Sequence, residues 1–280
     1  MHPILFQFPH NGFQLRSYGA MLFVAFIVSI LHAVNSAKRR PQERISVDNT
    51  LDMSIWMIIT GIIFARLTFV VLDPNVASYT WKTVFAVWNG GISFDGSMIG
   101  ALIALGIFSK VRKIPFMAIL DRCATPAMIG YAIGRVGCFL NGCCCGAPTN
   151  MPWGVRFYDT DGPIAYLTPP SHPTQLYATA ISLAWYAILT WRERKGRAYV
   201  GEIACLYLAL SAIERFTMEI WRAGVTSDYV HGTPFTTAQF FCFLLFAIGI
   251  VGMKLCRDAD LRRGDHTVWG DKAGAEYNDT

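Results

Sequence analysis

Residues 51–72 have the sequence LDMSIWMIITGIIFARLTFVVL, in which only Asp52 and Arg66 are charged. About 20 consecutive apolar residues are enough for an α-helix to cross the hydrocarbon core of a bilayer. Stretches of this kind recur along the chain, and we predict seven spans. They are Ser17–Ala37, Leu51–Leu72, Gly91–Ser109, Phe116–Leu140, Gln175–Trp191, Val200–Trp221 and Pro234–Met253. The sequence therefore predicts an all-α, polytopic integral membrane bundle of about seven transmembrane helices.

The composition of the whole chain supports this prediction. Of the 280 residues, 53% are hydrophobic and only 15% are charged, and the mean hydropathy is +0.36. Soluble domains usually carry about 25% charged residues. The composition therefore argues against a soluble enzyme. The high aromatic content, 14%, also excludes disorder for most of the chain.

The basic residues are concentrated in four segments, and each segment follows an odd-numbered predicted span. Positively charged segments favour the cytoplasmic side of a membrane, so the pattern predicts an N-terminus outside and a C-terminus in the cytoplasm. The net charge of +5 is thus an indication of topology, and we expect no nucleic-acid partner. The segments contain Lys38, Arg39, Arg40 and Arg44; Lys110, Arg112 and Lys113; Arg192, Arg194, Lys195 and Arg197; and Lys254, Arg257, Arg262 and Arg263.

The domain organisation is expected to be simple. We predict one membrane-embedded domain over residues 1–256 and a flexible cytoplasmic tail over 257–280, because the tail is polar and poor in apolar residues. Within the domain, residues 140–174 are expected to form an irregular outer segment. Their prolines are too many for one helix: Pro148, Pro152, Pro163, Pro169, Pro170 and Pro173.

A set of polar residues falls at the outer membrane face in this topology. Charged groups in apolar spans are costly and mark function by default. Several arginines beside few acids suit a phosphate, and a phospholipid headgroup is the abundant anion at that face. The alternative is that each residue is a helix-end anchor or part of a structural pair. The set contains Tyr18, Arg66, Asp95, Arg135, Asn141, His172, Gln175, Arg215, Glu219 and Arg222.

Four cysteines occupy the same predicted outer region: Cys138, Cys143, Cys144 and Cys145. An oxidising compartment favours a structural disulfide from Cys138 to one of the other three, and this is the prediction adopted here. A reactive thiol is an alternative. A metal site is a further alternative, but the spacing is not a standard zinc-ligand pattern, so no metal and no cofactor are expected.

Several motifs together resemble a known family. The Tyr-Gly pair in LRSYGAMLFVAF is followed by FARLTFVVL, WNGGISFDGSMIG, GRVGCFLNGCCCG, HPTQLY and RFTMEIWR. In this order and spacing, over about Leu15–Gly252, the chain resembles the bacterial prolipoprotein diacylglyceryl transferases. The chain departs from the family pattern at Asp95, where His is usual, at Cys138 (Asn), at Cys143 (Glu) and at Ala178 (Glu).

The resemblance implies an activity and its partners. A diacylglyceryl group would move from phosphatidylglycerol to the lipobox cysteine thiol of a preprolipoprotein, and glycerol 1-phosphate would be released. The implied partners are phosphatidylglycerol, preprolipoprotein signal peptides and the bilayer. The implied location is the bacterial inner membrane, with a multi-pass monomer whose active site faces the outer side.

The resemblance also assigns roles to the matched positions. It implies catalytic roles for Asp95, Arg135 and Arg215. It implies substrate binding by Tyr18, Arg66, Asn141, His172, Gln175, Glu219 and Arg222. Two alternatives stay open: a related lipid transferase or hydrolase that uses an outer-face cysteine on a different acceptor, and a thiol-redox membrane protein.

Overall fold

Seven long α-helices account for most of the described chain. The computed structural model describes residues 4–7, 14–40, 45–73, 80–81, 93–159, 166–222 and 228–263. Each of the seven predicted spans coincides with a helix over most of its described length, which confirms the all-α class. The helices are α1 (Ser17–Arg39), α2 (Val47–Leu72), α3 (Phe94–Val111), α4 (Phe116–Asn141), α5 (Thr174–Arg194), α6 (Glu202–Ile220) and α7 (Thr237–Arg263).

Five of these helices, α1, α2, α3, α4 and α7, are long and apolar enough to cross a membrane. The helices α5 and α6 fall outside that set, and α6 carries charges at Glu214, Arg215 and Glu219. Large apolar side chains such as Ile59 and Phe241 are exposed on the helix surfaces, as expected for faces in contact with lipid. The chain is therefore a polytopic membrane helical bundle. That α5 and α6 also cross the bilayer stays a prediction.

The described residues form two compact units. Unit one comprises the described parts of 4–32 and 121–263, with the first part of α1, α4 from Asp121 onward and all of α5 to α7. Unit two comprises the described parts of 33–120, with the end of α1, all of α2 and α3 and the first turn of α4. The single domain predicted over residues 1–256 stays a prediction.

In unit two, α2 and α3 pack closely through glycines. A Cβ atom on Gly96 would lie 2.5 Å from the carbonyl oxygen of Phe64, and one on Gly100 would lie 2.6 Å from that of Thr60. Small residues at such positions let two helix backbones approach each other. The hydroxyl of Ser93 accepts from the backbone N–H of Gly96 at 3.4 Å and caps α3.

In unit one, α4 and α6 are joined by Asp121. Its carboxylate accepts from the backbone N–H groups of Gly201 at 2.7 Å and of Ala204 at 2.8 Å. Gly201 is the N-cap of α6 and has no side chain with which to cap it, so Asp121 supplies the capping oxygens from another helix. The negative charge also suits the positive end of the helix dipole.

Four short strands lie among the described residues. Strands β1 (Ile4–Gln7) and β2 (Gln14–Arg16) pair antiparallel just before α1, with Ile4 opposite Arg16. Strands β3 (Tyr158–Asp159) and β4 (Tyr166–Leu167) pair antiparallel between α4 and α5. They lie in the segment for which the prolines predict irregular structure.

The C-terminal helix is longer than the sequence predicts. The predicted span ends at Met253 and the flexible tail begins at residue 257, whereas α7 continues to Arg263. Residues 257–263 are therefore helical, and this part of the tail prediction is wrong. The physical reason is that 254–263 contain good helix formers and neither glycine nor proline. The remaining tail, 264–280, lies outside the described residues.

Candidate active site

Arg135 on α4 is connected to Glu214 on α6 through the hydroxyl of Tyr131. Nη2 of Arg135 donates to the Tyr131 hydroxyl at 2.6 Å, and this hydroxyl donates to the two carboxylate oxygens of Glu214 at 3.2 and 3.3 Å. The guanidinium carbon of Arg135 also lies 4.8 Å from the centre of the Tyr131 ring. Nε of Arg135 has no hydrogen-bond partner among the described residues. Arg135 is thus fixed in direction and keeps a donor for an anion.

Three arginines act on the same carboxylate. Glu214 is buried and lies within electrostatic range of Arg135, Arg215 and Arg222. Arg215 also forms an ion pair with Glu219, in which Nη1 and Oε2 lie 2.6 Å apart and the carboxylate is fully buried. Three positive charges against two carboxylates leave this region positive. The predicted residues Arg135 and Arg215 therefore both act electrostatically on Glu214, and a group of arginines of this kind suits a phosphate.

The segment after α4 is held against the beginning of α5. The side chain of Gln175 donates to the carbonyl of Cys143 at 2.6 Å, and the hydroxyl of Thr174 donates to the carbonyl of Cys144 at 3.0 Å. Gly146 packs so tightly here that a Cβ atom would lie 2.6 Å from the carbonyl oxygen of Trp221. Gln175 is buried, so the structure places this predicted substrate-binding residue as a support for the cysteine segment.

His172 is oriented by Tyr177. Nδ1 of His172 lies 3.3 Å from the Tyr177 hydroxyl, which accepts from Nε1 of Trp153 at 2.8 Å. Because the indole can only donate, the tyrosine proton is free to point at the imidazole. The ring of Trp221 also packs against Tyr177, with the two ring centres 5.3 Å apart.

Three thiols converge at the end of α4. The sulfur atoms of Cys138, Cys143 and Cys144 all lie within 4.8 Å of one another. The chain reverses at Gly142, with φ of +84°, and at Cys144, with φ of +64°, so the two later cysteines return towards Cys138. All eight cysteines, including Cys145, are free thiols. The predicted disulfide from Cys138 stays a prediction.

Tyr18 and Asn141 border these thiols. A Cβ atom on Gly137 would lie 3.4 Å from Cδ2 of Tyr18, so the aromatic ring packs on the glycine of α4. The phenol of Tyr18 interacts electrostatically with all three converging thiols and with Arg135. The side chain of Asn141 is hydrogen-bonded to Cys143.

The electrostatic environment favours a thiolate at Cys144. Hydrogen bonds from the thiols of Cys138 and Cys143, together with the positive charges of Arg222 and Arg135, lower the pKa of the Cys144 thiol. Cys144 is also exposed. The arginine group and the thiol group are therefore parts of one polar region in unit one.

Arg66 and Asp95 lie in unit two. The backbone N–H of Ser93 donates to the carbonyl of Ala65 at 3.0 Å, so the beginning of α3 lies beside the part of α2 that carries Arg66. Arg66 is buried, and its guanidinium carbon lies 5.5 Å from the ring centre of Phe69. Asp95 is exposed in the first turn of α3. The structure brings these two predicted residues to one end of unit two and the other predicted residues together in unit one.

Tyr131 and Glu214 were not among the residues predicted from the sequence. The available signals were weak: Tyr131 lies one helical turn before Arg135, and Glu214 directly precedes Arg215. Neither spacing shows that the two side chains meet across two helices. Their contact depends on how α4 packs on α6, which no local pattern encodes.

The fold and the site define a membrane-embedded helical protein with a polar, arginine-lined site beside a group of thiols. The family described as prolipoprotein diacylglyceryl transferase matches residues 3–255 of this chain. The chain belongs to this family of transferases, which confirms the resemblance seen in the sequence motifs.

Relatives named phosphatidylglycerol–prolipoprotein diacylglyceryl transferase match most of the chain. The relative from Synechocystis sp. is 33% identical over 263 residues, covering 90% of this chain and 88% of its own length. The relative from Gloeobacter violaceus is 31% identical over 252 residues, covering 87% and 89%. The relative from Clostridium tetani is 28% identical over 257 residues, covering 92% and 98%.

Proposed function

We propose that this chain transfers a diacylglyceryl group from phosphatidylglycerol to the lipobox cysteine thiol of a preprolipoprotein, releasing glycerol 1-phosphate. The names of the relatives support this substrate pair, and the coverage of both chains supports a shared activity. The structural observation that carries the proposal is the group of three arginines around Glu214, with Arg135 fixed by Tyr131.

The reaction is a displacement at a glyceryl carbon. A bond from the acceptor sulfur to carbon forms as the bond from that carbon to the phosphate oxygen breaks. Negative charge grows on the leaving phosphate, and preorganised donors aimed at that charge give the largest rate effects. In our proposal Arg135 and Arg215 stabilise it, with Arg222 adjacent and Arg66 in support.

The acceptor thiol must lose its proton before it attacks, because the thiolate is the nucleophile. Asp95 is proposed to receive this proton. Its exposed position in the first turn of α3 leaves it open to a substrate or to solvent. A carboxylate is a weak base at neutral pH unless its surroundings become apolar, which a bound lipid would provide.

The lipid must also be oriented for attack. Tyr18, Asn141 and His172 are proposed to hold the headgroup and glycerol by hydrogen bonds. Gln175 and the Arg215–Glu219 pair fix the surrounding backbone and charges. The site is proposed to face the outer side of the inner membrane, in a monomer with its N-terminus outside.

A second candidate function is favoured by one observation, the exposed Cys144 with its lowered pKa. Such a thiol could itself attack a lipid, which would make the chain a lipid transferase or hydrolase with another acceptor. Substrate lipid would then be consumed without any prolipoprotein.

Complementation separates the two candidates. The chain is expressed in cells depleted of their own diacylglyceryl transferase, and a reporter prolipoprotein is followed by mass spectrometry. We expect a diacylglyceryl group on its lipobox cysteine. An unmodified reporter, with the chain present in membranes and labelled phosphatidylglycerol being consumed, would favour the second candidate.

A further inference from the structure

The three converging thiols have the spacing of a metal site. Their sulfurs lie within 4.8 Å of one another. Thiolate sulfurs bind zinc at about 2.3 Å, so three of them on one ion lie roughly 3.8–4.0 Å apart. The sulfurs of Cys138, Cys143 and Cys144 would thus need to move by about an ångström or less to share an ion.

The backbone that carries these thiols is fixed by hydrogen bonds, two of which come from side chains at the beginning of α5. Gln175 and Thr174 hold the carbonyls of Cys143 and Cys144, and the backbone N–H of Cys143 donates to the carbonyl of Cys138 at 3.2 Å. Hydrogen bonds of this kind around the ligands orient them and tune a metal site. The arrangement is therefore preassembled.

A buried hydrogen-bond acceptor, the side-chain oxygen of Gln175, lies beside the three thiols without a partner among the described residues. Oε1 of Gln175 has no hydrogen-bond partner among the described residues, although Gln175 is only 1% exposed. Buried polar atoms almost always have a partner, so an orphan of this kind indicates a missing water, ion or ligand group.

The charges around the cluster suit an anionic metal centre. Three thiolates and one Zn²⁺ carry a net charge of −1. Arg135 and Arg222 both lie within electrostatic range of Cys144 and would offset that charge. Soft thiolate ligands select zinc or monovalent copper over hard cations.

We propose that Cys138, Cys143 and Cys144 bind one zinc ion whose fourth coordination position receives the acceptor thiol. Three protein ligands with one open position are the arrangement of catalytic zinc sites. A thiol that coordinates zinc is deprotonated outright, which is the activation that the acceptor cysteine requires. This inference rests on the proposed transferase function.

The step balances without an oxidant or a reductant. The acceptor thiol would displace a water molecule from zinc, and its proton would pass to Asp95, the group proposed above to receive it. The bound sulfur then forms the carbon–sulfur bond as the carbon–oxygen bond to phosphate breaks, and glycerol 1-phosphate leaves with the electron pair. The thioether dissociates from zinc, and water returns to the open position.

The test measures metal binding by the full chain, purified in detergent with a reductant. Zinc content is determined by elemental analysis, and Co²⁺ is added to the metal-free chain to detect thiolate-to-cobalt charge-transfer absorption. We expect about one zinc per chain and a charge-transfer band. Cys138→Ser, Cys143→Ser and Cys144→Ser should each weaken zinc binding at least tenfold, whereas the matched control Cys123→Ser should not.

Two results would overturn the inference: no charge-transfer band in the wild-type chain, or isolation of Cys138 in a disulfide that persists in the membrane. Because the cobalt charge-transfer band is measured on the wild-type chain, it tests the inference even if a variant fails to fold. Reporter lipidation is measured alongside. Zinc binding without lipidation would contradict the proposed function alone, and lipidation by a chain that binds no zinc would contradict the zinc site alone.

Discussion

Arg135 and Tyr131 lie one turn apart on α4, and Nη2 of Arg135 donates to the Tyr131 hydroxyl at 2.6 Å. The same hydroxyl donates to Glu214 on α6. The tyrosine thereby sets the direction of the guanidinium without using its Nε donor. In the proposed reaction this geometry presents Arg135 to the leaving phosphate before the substrate arrives.

Removing that hydroxyl should slow turnover. Tyr131→Phe should lower kcat by roughly tenfold or more, because a hydrogen bond to a charged group contributes about 1.5–3 kcal/mol. Lipidation of a reporter peptide by the purified chain measures the effect. Tyr186→Phe is the matched control, since it removes a tyrosine hydroxyl that is hydrogen-bonded to His32 and not to an arginine. Equal losses in the two variants would contradict a specific role for Tyr131.

The arginines should not tolerate lysine. Arg135→Lys and Arg215→Lys should each reduce turnover about 10²-fold, since an ammonium cannot reproduce the planar fork that binds phosphate. Arg194→Lys, at the exposed end of α5, provides the comparison. Initial rates at saturating phosphatidylglycerol would test this, and wild-type rates in both variants would remove these residues from the mechanism.

Asp121 should contribute to stability and not to chemistry. Asp121→Ala removes the acceptor for two N–H groups at the beginning of α6 and should cost about 1–3 kcal/mol. Thermal unfolding in detergent should show a lower Tm, with reporter lipidation preserved at low temperature. The exposed Asp228 supplies the control, Asp228→Ala. An unchanged Tm for Asp121→Ala would show that the cap is dispensable.

The glycines of α3 should differ sharply in how well they tolerate substitution by alanine. Gly96→Ala places a methyl group 2.5 Å from a backbone oxygen of α2 and should destabilise the chain by roughly 1–3 kcal/mol. Gly106→Ala meets nothing within 4 Å and should leave stability unchanged or improve it. The stability of each variant is measured as the fraction of the chain that stays monodisperse after heating. Similar behaviour of the two variants would argue against close packing of α2 on α3.

The helices could be predicted because their apolar runs are long and lack breakers. Residues 51–72 illustrate this: α2 ends at Leu72, where the predicted span ends, and it begins four residues earlier than predicted, after the Ser46 cap. The C-terminal boundary was missed because helix propensity continues past the apolar run to Arg263. The change from apolar to polar residues predicts where a membrane span ends, but it does not predict where the helix ends.

The site was predicted only in part, for a physical reason. Arginines and cysteines stand out in an apolar sequence, so Arg135 and Cys138 could be found without a structure. The convergence of three thiols depends on a left-handed turn at Cys144, which glycine would usually occupy. Glu214 is visible in the sequence, but its bond to Tyr131 is set by helix packing.

The predicted topology rests on the basic segments and has a direct test. A reporter that is active only in the cytoplasm should be active when fused after α7. A reporter active only outside the cytoplasm should be silent at the same position. Activity of the second reporter would reverse the orientation and place the arginine and thiol groups on the cytoplasmic side.

A purified reaction tests most directly whether this chain transfers a diacylglyceryl group to a cysteine thiol. The full chain is placed in lipid nanodiscs that contain phosphatidylglycerol, and a synthetic lipobox peptide is added. Mass spectrometry of the peptide should show a diacylglyceryl thioether on its cysteine, with an equal amount of glycerol 1-phosphate released. A folded chain that leaves both the peptide and the phosphatidylglycerol unchanged would contradict the proposed function.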